Sequence, residues 1–168
     1  MTIPSMCREL WGEYLESLRE AAQADRRPWD PAQVSARYYE TCRFGHTTEN
    51  ANKAASAVLR GDKTATSSLL WEYELSARQP PEIGALSIVL DGRFAPVAVI
   101  ETTAVLVVPF CEIDAGFAYD YGEGDRSLEF WRSTVWGYYQ EECARLGVPP
   151  SWDMPMLCEQ FLLVHPRT

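Results

Sequence analysis

The chain has 168 residues, of which 46% are hydrophobic, so it fits a single globular domain with one buried core and requires no second domain. Its formal net charge of -9 repels polyanions on average, which excludes strong non-specific binding to nucleic acid and leaves only local contacts with it. The five cysteines are scattered without a Cys-x-x-Cys pair and the two histidines stand apart, so we expect neither a disulfide framework nor a structural zinc site, and we expect a reducing, cytoplasmic environment.

The first part of the chain is predicted to be helical. Apolar residues recur there at the spacing of one helix face: Leu10, Trp11, Tyr14, Leu15 and Leu18. Charged residues such as Arg8 in the same stretch exclude a secretory signal peptide. Asp30 followed by Pro31 is typical of a helix start, and we expect a second helix over about residues 31–41. Residues 1–43 are therefore predicted to form an N-terminal helical extension.

A third helix is predicted over residues 49–60. Thr47 or Thr48 can cap its start, and Gly61 suits the left-handed residue that ends many helices. Asp62 follows Gly61 where a phosphate-binding P-loop has lysine, so a nucleoside triphosphate site of that type is excluded.

The next segment is the most polar of the chain and combines a lysine with a row of hydroxyl groups. Lys63 falls at the junction between the third helix and a strand predicted over residues 64–70. Because alternate residues of a strand share a face, we expect Thr64, Thr66 and Ser68 to point the same way. This hydroxyl face beside Lys63 is a candidate binding surface.

The remaining elements mix strands and helices. Strands are predicted over residues 86–90, 96–110 and 157–164, and helices over residues 112–119 and about 127–146. A sharp turn with Gly122 and Gly124 precedes the long helix, which Asp125 or Ser127 can cap. The longest apolar run, residues 104–110, is too short to span a bilayer, so we expect no membrane partner. The pattern indicates an α+β fold.

Lys63, Thr66 and Glu123 would suffice for hydrolysis without metal or cofactor if they converged. An ammonium stabilises an oxyanion or accepts a proton when its pKa is lowered, and a carboxylate performs the complementary transfer. A purely structural role is the alternative: Lys63 would be a solvated lysine in a turn, and the acidic residues around Glu123 would favour the start of the following helix. Nearby aromatic residues can stack on a planar base: Trp71, Tyr73, Tyr119, Tyr121 and Trp131. The two histidines, His46 and His165, have no spacing typical of a catalytic triad.

Several motifs together resemble the ASCH domain of the PUA-like superfamily. The segment Gly61-Asp62-Lys63-Thr64-Ala65-Thr66 matches the G-x-K-x-x-T signature of that family. Further matching segments are residues 69–74, 84–92, 107–110, 122–132 and 153–161. The resemblance implies an α+β fold in which residues 44–168 form a PUA-like small mixed β-barrel with surrounding helices. The N-terminal helical extension would pack on this domain as part of one globular unit.

The resemblance also implies a site in the cleft beneath the signature motif. The family has been proposed to bind RNA there, some members are ribonucleases, and smaller relatives remove the acyl group from N4-acetylcytidine with a lysine, a threonine and a glutamate. Carried over, the lysine is Lys63 and the threonine is Thr66, and Glu123 is assigned as the glutamate. Expected substrate-binding residues are Thr64, Ser68, Trp71, Tyr121, Asp125, Ser127, Trp131 and Arg132. No cofactor and no metal are expected.

Several interpretations of function remain open. The chain is expected to bind RNA or a modified nucleoside, as a ribonuclease-type hydrolase, an amidohydrolase of N4-acylated cytidine-like nucleosides, or a non-catalytic RNA-binding module. The acidic net charge favours a small nucleoside over a long RNA. Two departures from the family pattern bear on activity: Ser68 replaces a common arginine, and Tyr121 replaces a common glutamate. A further alternative is an interaction protein or homodimer that uses the N-terminal helices, in which Trp29 would be exposed.

Overall fold

An open, mixed sheet of five strands forms the centre of the computed structural model, which describes residues 2–167. The strands are β1 (Tyr38–Cys42), β2 (Ala65–Leu69), β3 (Leu86–Leu90), β4 (Pro96–Pro109) and β5 (Pro155–Pro166). Their order is β1-β3-β4-β5-β2, with β1 parallel to β3 and the other neighbours antiparallel. The helices are α1 (Arg8–Ala24), α2 (Pro31–Ser35), α3 (Thr48–Arg60), α4 (Leu70–Ser76), α5 (Ala115–Tyr121) and α6 (Leu128–Leu146), with short 3-10 turns at Ser5–Cys7 and Phe110–Glu112. The predicted α+β fold with an N-terminal helix is confirmed.

Local capping signals set several helix ends as the sequence predicts. The side chain of Thr47 accepts a hydrogen bond from the amide of Asn50 at 3.1 Å and caps α3, which ends at Gly61 with φ of +75°. The side chain of Ser127 accepts from the amide of Phe130 at 3.1 Å and caps α6. α3 therefore ends at Gly61, the first residue of the signature segment.

The second helix is shorter than the prediction of residues 31–41. Asp30 caps α2 as expected, but α2 ends at Ser35, and Tyr38–Cys42 joins the sheet as β1. Aromatic and β-branched side chains favour a strand here, and the parallel ladder with β3 satisfies the backbone of β1. The helical assignment of residues 38–41 is therefore wrong.

The sheet does not close, so the expectation of a small β-barrel is wrong. β1 and β2 are the edge strands, β1 pairs only with β3, and β2 pairs only with β5. Side chains from α4 and the loop after it contact both edges. The hydroxyl of Ser68 on β2 donates to Tyr73 OH at 3.3 Å, and Arg78 pairs with Glu40 on β1 at 2.5 Å. Side-chain contacts therefore replace a backbone ladder between these edges.

The N-terminal helix shares its core with the sheet. Leu10, Trp11 and Tyr14 of α1 are buried against side chains of β3 and β4 such as Ile88 and Val99. Burial of each such side chain stabilises the fold by about 1.5–3 kcal/mol. The division of the chain at residue 43 stays a prediction, and β1 from the first part is a strand of the central sheet.

The long helix α6 builds a second core on the side of the candidate site. Its residues Trp131, Val135 and Tyr139 are buried with Phe110 and Met156. Trp131 is 2% exposed and stacks on Phe110 with 5.2 Å between the ring centroids. This aromatic packing anchors α6, whose Thr134, Tyr138 and Glu141 line the cleft described below.

Candidate functional site

The segments that carry Lys63 and Glu123 lie side by side because Gly122 packs directly on the backbone at Lys63. A Cβ atom at position 122 would lie 2.5 Å from Lys63 Cα, and Gly122 has φ of +73°. The amide of Thr64 donates to the carbonyl oxygen of Asp120 at 2.8 Å, which links the start of β2 to the end of α5. Glycine meets both the steric and the conformational requirement, so the turn after α5 approaches the signature lysine.

The Lys63 ammonium is enclosed and makes close contacts with Glu123 and Tyr121. Its Nζ lies 2.9 Å from Glu123 Oε1, donates to the carbonyl oxygen of Tyr121 at 2.9 Å, and lies 3.5 Å from the centroid of the Tyr121 ring. The Lys63 side chain is 0% exposed, whereas that of Glu123 is 36% exposed. Burial lowers the pKa of Lys63, and the Glu123 carboxylate opposes that shift. Lys63 therefore acts as a buried counter-ion of Glu123.

Glu123 opens onto a cleft of about 390 Å³, a volume in the range of small-molecule sites. The cleft is lined by Arg43, Phe44, Gly45, His46, Thr47 and Asn50 from the β1–α3 connection and the start of α3, by Thr66 and Ser67 of β2, by Tyr121 and Glu123, and by Thr134, Val135, Tyr138 and Glu141 of α6. Lys63 does not line the cleft and is connected to it through Glu123 and Tyr121. The carboxylate, rather than the ammonium, is the group presented to a ligand.

Two neighbouring hydroxyl-bearing residues of β2, Thr66 and Ser67, line the cleft. Ser67 Oγ lies 2.8 Å from the hydroxyl of Tyr139, and burial raises the pKa of both Tyr139 and Tyr121. These phenols stay protonated at neutral pH and can hold Ser67 in one orientation. Within residues 2–167, the Thr66 hydroxyl has no hydrogen-bond partner, which leaves it available to a ligand.

The predicted row of three hydroxyls divides among different contacts. Thr64 Oγ1 donates to the carbonyl oxygen of Asp120 at 3.4 Å, and Ser68 is bonded to Tyr73. Of Thr64, Thr66 and Ser68, only Thr66 lines the cleft. Strand alternation alone did not indicate Ser67, because the prediction considered only the strand face that carries Thr64, Thr66 and Ser68. Ser67 lines the cleft beside the hydroxyl of Tyr139.

Aromatic side chains line the cleft on the sides of the β1–α3 connection and α6. His46 stacks on Tyr138 with 4.6 Å between ring centroids and 29° between ring planes. Arg43 is the one cation among the described lining residues, and its Nη1 donates to the carbonyl oxygens of Gly45 and His46, both at 3.1 Å. Two acidic residues, Glu123 and Glu141, also line the cleft. The cleft suits a planar, weakly charged ligand better than a phosphate chain.

The comparison with known proteins identifies the family. A family model described as the ASCH domain matches residues 40–165. This chain belongs to the ASCH domain family. Its structure is similar to the crystal structure of an ASCH domain from Lactobacillus crispatus JV V101, with a TM-score of 0.84, 28% identity and 98% of each chain covered. It is also similar to protein EF3133 from Enterococcus faecalis V583, with a TM-score of 0.72, 26% identity, and coverage of 92% of this chain and 90% of the other.

Among curated proteins, none matches this chain. The family and structure matches confirm the predicted family and its fold class. The ASCH domain is a PUA-like fold that is associated with RNA binding. The match to the Lactobacillus crispatus structure, which covers 98% of this chain, includes the N-terminal helix as well as the sheet.

Several residues expected around the substrate have structural contacts in this ASCH domain. Trp131 is buried in the core, and Trp71 packs against the same cluster. Ser127 caps α6, and the side chain of Asp125 accepts from the amide of Ser127 at 2.9 Å. Arg132 donates to carbonyl oxygens of the turn before α5. None of these five residues lines the cleft, and their role in substrate binding stays a prediction.

Residues that the sequence did not single out make up much of the cleft wall. Phe44, Tyr138 and Ser67 line it, and Lys63 Nζ lies 5.2 Å from the centroid of the Phe44 ring. Tyr138 belongs to the apolar stripe of α6 and Phe44 to a loop, so no local pattern indicated either. Residues 2–167 contain no cluster of three or more His, Cys, Asp or Glu side chains able to hold a metal ion. Across the same residues, no helix has the length and apolar character needed to cross a membrane.

Proposed function

We propose that this ASCH domain is a hydrolase that binds a nucleoside in the cleft and cleaves an amide bond on its base, as in N4-acylated cytidine. The observation that carries the proposal is the Lys63–Glu123 pair, in which an enclosed ammonium holds a carboxylate that opens onto the cleft. The aromatic walls fit a base, and a cleft of about 390 Å³ fits one nucleoside rather than a strand of RNA.

Each residue has a defined part in the proposed reaction. Glu123 accepts a proton from a water molecule as the water oxygen attacks the acyl carbonyl carbon. The hydroxyls of Thr66 and Ser67 donate to the oxyanion of the tetrahedral intermediate. When the intermediate collapses, the carbon–nitrogen bond breaks and the amine of the base takes the proton from Glu123. The products are the free base amine and a carboxylic acid.

Lys63 is a positioning residue in this reaction. Its Nζ contacts Glu123 Oε1 and the Tyr121 carbonyl oxygen, so the ammonium orients the carboxylate and balances its charge in a partly dry site. The ring of Tyr121 covers the same ammonium and also lines the cleft. The pair therefore supplies a fixed base without a bound metal.

Release of acetate from N4-acetylcytidine tests the proposal. We expect the wild-type protein to release acetate and Glu123→Gln to lower kcat by about 10²- to 10⁴-fold, the usual contribution of a general base. Thr66→Val should lower kcat while the protein stays folded, because it removes one oxyanion donor. Glu129→Gln, an exposed carboxylate on α6 outside the cleft, is the matched control. Wild-type protein without acetate release, or full activity in Glu123→Gln, would contradict the assignment.

RNA binding is the second candidate function. It is supported by the association of the ASCH fold with RNA and by the His46–Tyr138 stack, on which an unpaired base can be placed. Incubation of labelled single-stranded RNA with wild-type protein and with Lys63→Met separates a ribonuclease from a binder. If the wild-type protein cleaves the RNA and the variant does not, the result supports a ribonuclease. If both proteins bind the RNA and leave it intact, the result supports a binding module.

A further inference from the structure

The second half of β4 has a free backbone edge. β3 pairs with β4 only as far as Glu101, whereas β5 pairs with β4 as far as Pro109. The last backbone contact on the β3 side is at Thr102. Its carbonyl oxygen accepts a hydrogen bond from the amide of Gly84 at 2.8 Å, and its amide donates to the carbonyl oxygen of Ala85 at 2.9 Å. Within residues 2–167, no backbone hydrogen bond other than the ladder with β5 involves residues 103–109. The edge beyond Thr102 is therefore open.

The ladder shows which groups this edge presents. The amide of Phe161 donates to the carbonyl oxygen of Thr64 at 2.8 Å and so faces β2. Because the direction of backbone groups alternates along an antiparallel strand, Glu159 and Leu157 also face β2. Their partners across the β4–β5 ladder, Val105 and Val107, consequently direct their N–H and C=O groups away from β5.

The composition of this edge is unusual for a strand that meets only water. Residues 102–110 carry no charge, although the chain has a net charge of -9. Leu106 is 65% exposed and Val107 is 51% exposed. Edge strands of monomeric proteins are commonly protected by lysine, proline or a bulge. Here the register shift between Thr102 and Ala104 and the proline at 109 stand at the two ends, and the residues between them are unprotected.

We propose that residues 103–109 pair antiparallel with the same residues of a second copy of this chain, about a two-fold axis at Leu106. In that register Val105 lies opposite Val107 of the partner subunit, and each such pair exchanges both of its N–H···O bonds. The groups that need partners in one copy are the groups offered by the other. A symmetric interface of this kind closes as a dimer and leaves no further free edge at β4.

Charge explains why a second copy fits this edge. In the same register every residue of the paired segment, residues 103–109, is uncharged in both copies, and β3 keeps Glu101 outside the new ladder. No like charges face each other, although two chains of charge -9 repel each other on average. The uncharged edge is a place where two such acidic chains can approach, and screening of the remaining charge by salt should strengthen the dimer.

Sedimentation velocity of the wild-type protein and of edge variants tests the proposal. We expect a mass of twice 19.0 kDa for the wild type and of 19.0 kDa for Val107→Pro. The proline removes an outward N–H that the ladder with β5 does not use, so circular dichroism should show an unchanged fold. Leu106→Lys should also give the monomer, since it places like charges on the axis. Leu162→Lys, at a leucine that is 56% exposed on β5, is the matched control and should remain a dimer.

A cross-linking experiment keeps the proposal testable if an edge variant folds poorly. Leu106→Cys in a Cys111→Ser background should form an intermolecular disulfide on mild oxidation, because residues facing each other at a non-hydrogen-bonded position have Cα atoms about 4.5 Å apart. The background change removes an exposed thiol. Leu162→Cys in the same background should remain monomeric on a non-reducing gel. A wild-type monomer at every concentration, or a dimer unaffected by both Val107→Pro and Leu106→Lys, would overturn the proposal.

Discussion

Glu123 Oε1 and Lys63 Nζ lie 2.9 Å apart but differ in their access to water, because the lysine side chain is 0% exposed and the glutamate side chain is 36% exposed. The pair is therefore polarised, with its charge-balancing member inside the fold and its proton-accepting member at the cleft. Tyr121 completes the arrangement, since its carbonyl oxygen and its ring both contact the ammonium. This geometry favours a chemical role for Glu123 and a positioning role for Lys63.

Replacement of the buried lysine is expected to destabilise the protein. Lys63→Met removes the ammonium and leaves Glu123 without its ion partner, but the carboxylate can recover contact with water. We therefore expect the free energy of unfolding to fall by about 1–3 kcal/mol, below the full effect for an enclosed ion pair. Lys53→Met is the matched control, because Lys53 forms an exposed pair with Glu49, and its loss should be about 0.3–0.5 kcal/mol. Urea denaturation of both variants measures the difference, and equal losses would show that the Lys63 pair has no special stabilising effect.

The half-buried carboxylate of Glu159 should make stability depend on pH. Burial raises the pKa of Glu159 above its unfolded value of 4.5, and a hydrogen bond from Thr102 at 2.6 Å opposes the shift only partly. The folded state then binds more protons than the unfolded state just above pH 4.5, so stability falls as pH rises from 4.5 through the folded pKa. Glu159→Gln should be more stable than the wild type at pH 7, with the advantage shrinking towards pH 4. Urea denaturation across that range checks the sign, and a gap that stays constant with pH would contradict it.

The close approach at Gly122 should be intolerant of any side chain. Gly122→Ala places a Cβ atom 2.5 Å from Lys63 Cα in addition to the strain of a positive φ. Gly61→Ala has a similar φ of +75° with nothing within 4 Å of its Cβ, so it isolates the conformational effect of about 1 kcal/mol. We expect Gly122→Ala to lower the thermal midpoint clearly more than Gly61→Ala does. Equal shifts would mean that the two segments can separate without consequence.

The stacked rings at the cleft should contribute to nucleoside binding. Tyr138→Ala removes one partner of the His46–Tyr138 stack, and we expect the Kd for the nucleoside to rise by about 3- to 10-fold, as the loss of one aromatic contact predicts. Tyr119→Ala is the control, because Tyr119 is 56% exposed and does not line the cleft. Isothermal titration with cytidine and N4-acetylcytidine measures both. An unchanged Kd in Tyr138→Ala would exclude base stacking at this position.

Local patterns in the sequence predicted most elements but failed where tertiary contacts competed with them. Caps at Thr47 and Ser127 were predicted correctly because a helix start depends on residues within one turn. The last part of the helix expected over residues 31–41 became β1, because β3 offered a ladder that local composition could not reveal. The open sheet is likewise a long-range outcome, since Tyr73 and Arg78 contact the edge strands where a barrel would need a ladder.

By itself, the amino-acid sequence determined the family, the α+β class and the presence of a lysine, hydroxyls and a carboxylate in two polar segments, because motif spacing, capping and strand alternation are local properties. Only the tertiary structure decided that Lys63 is enclosed while Glu123 faces the cleft, and that Ser67 joins Thr66 there. It also decided that the edge of β4 is open beyond Thr102. Burial and pairing arise from elements far apart in the chain, and no local pattern contains that information.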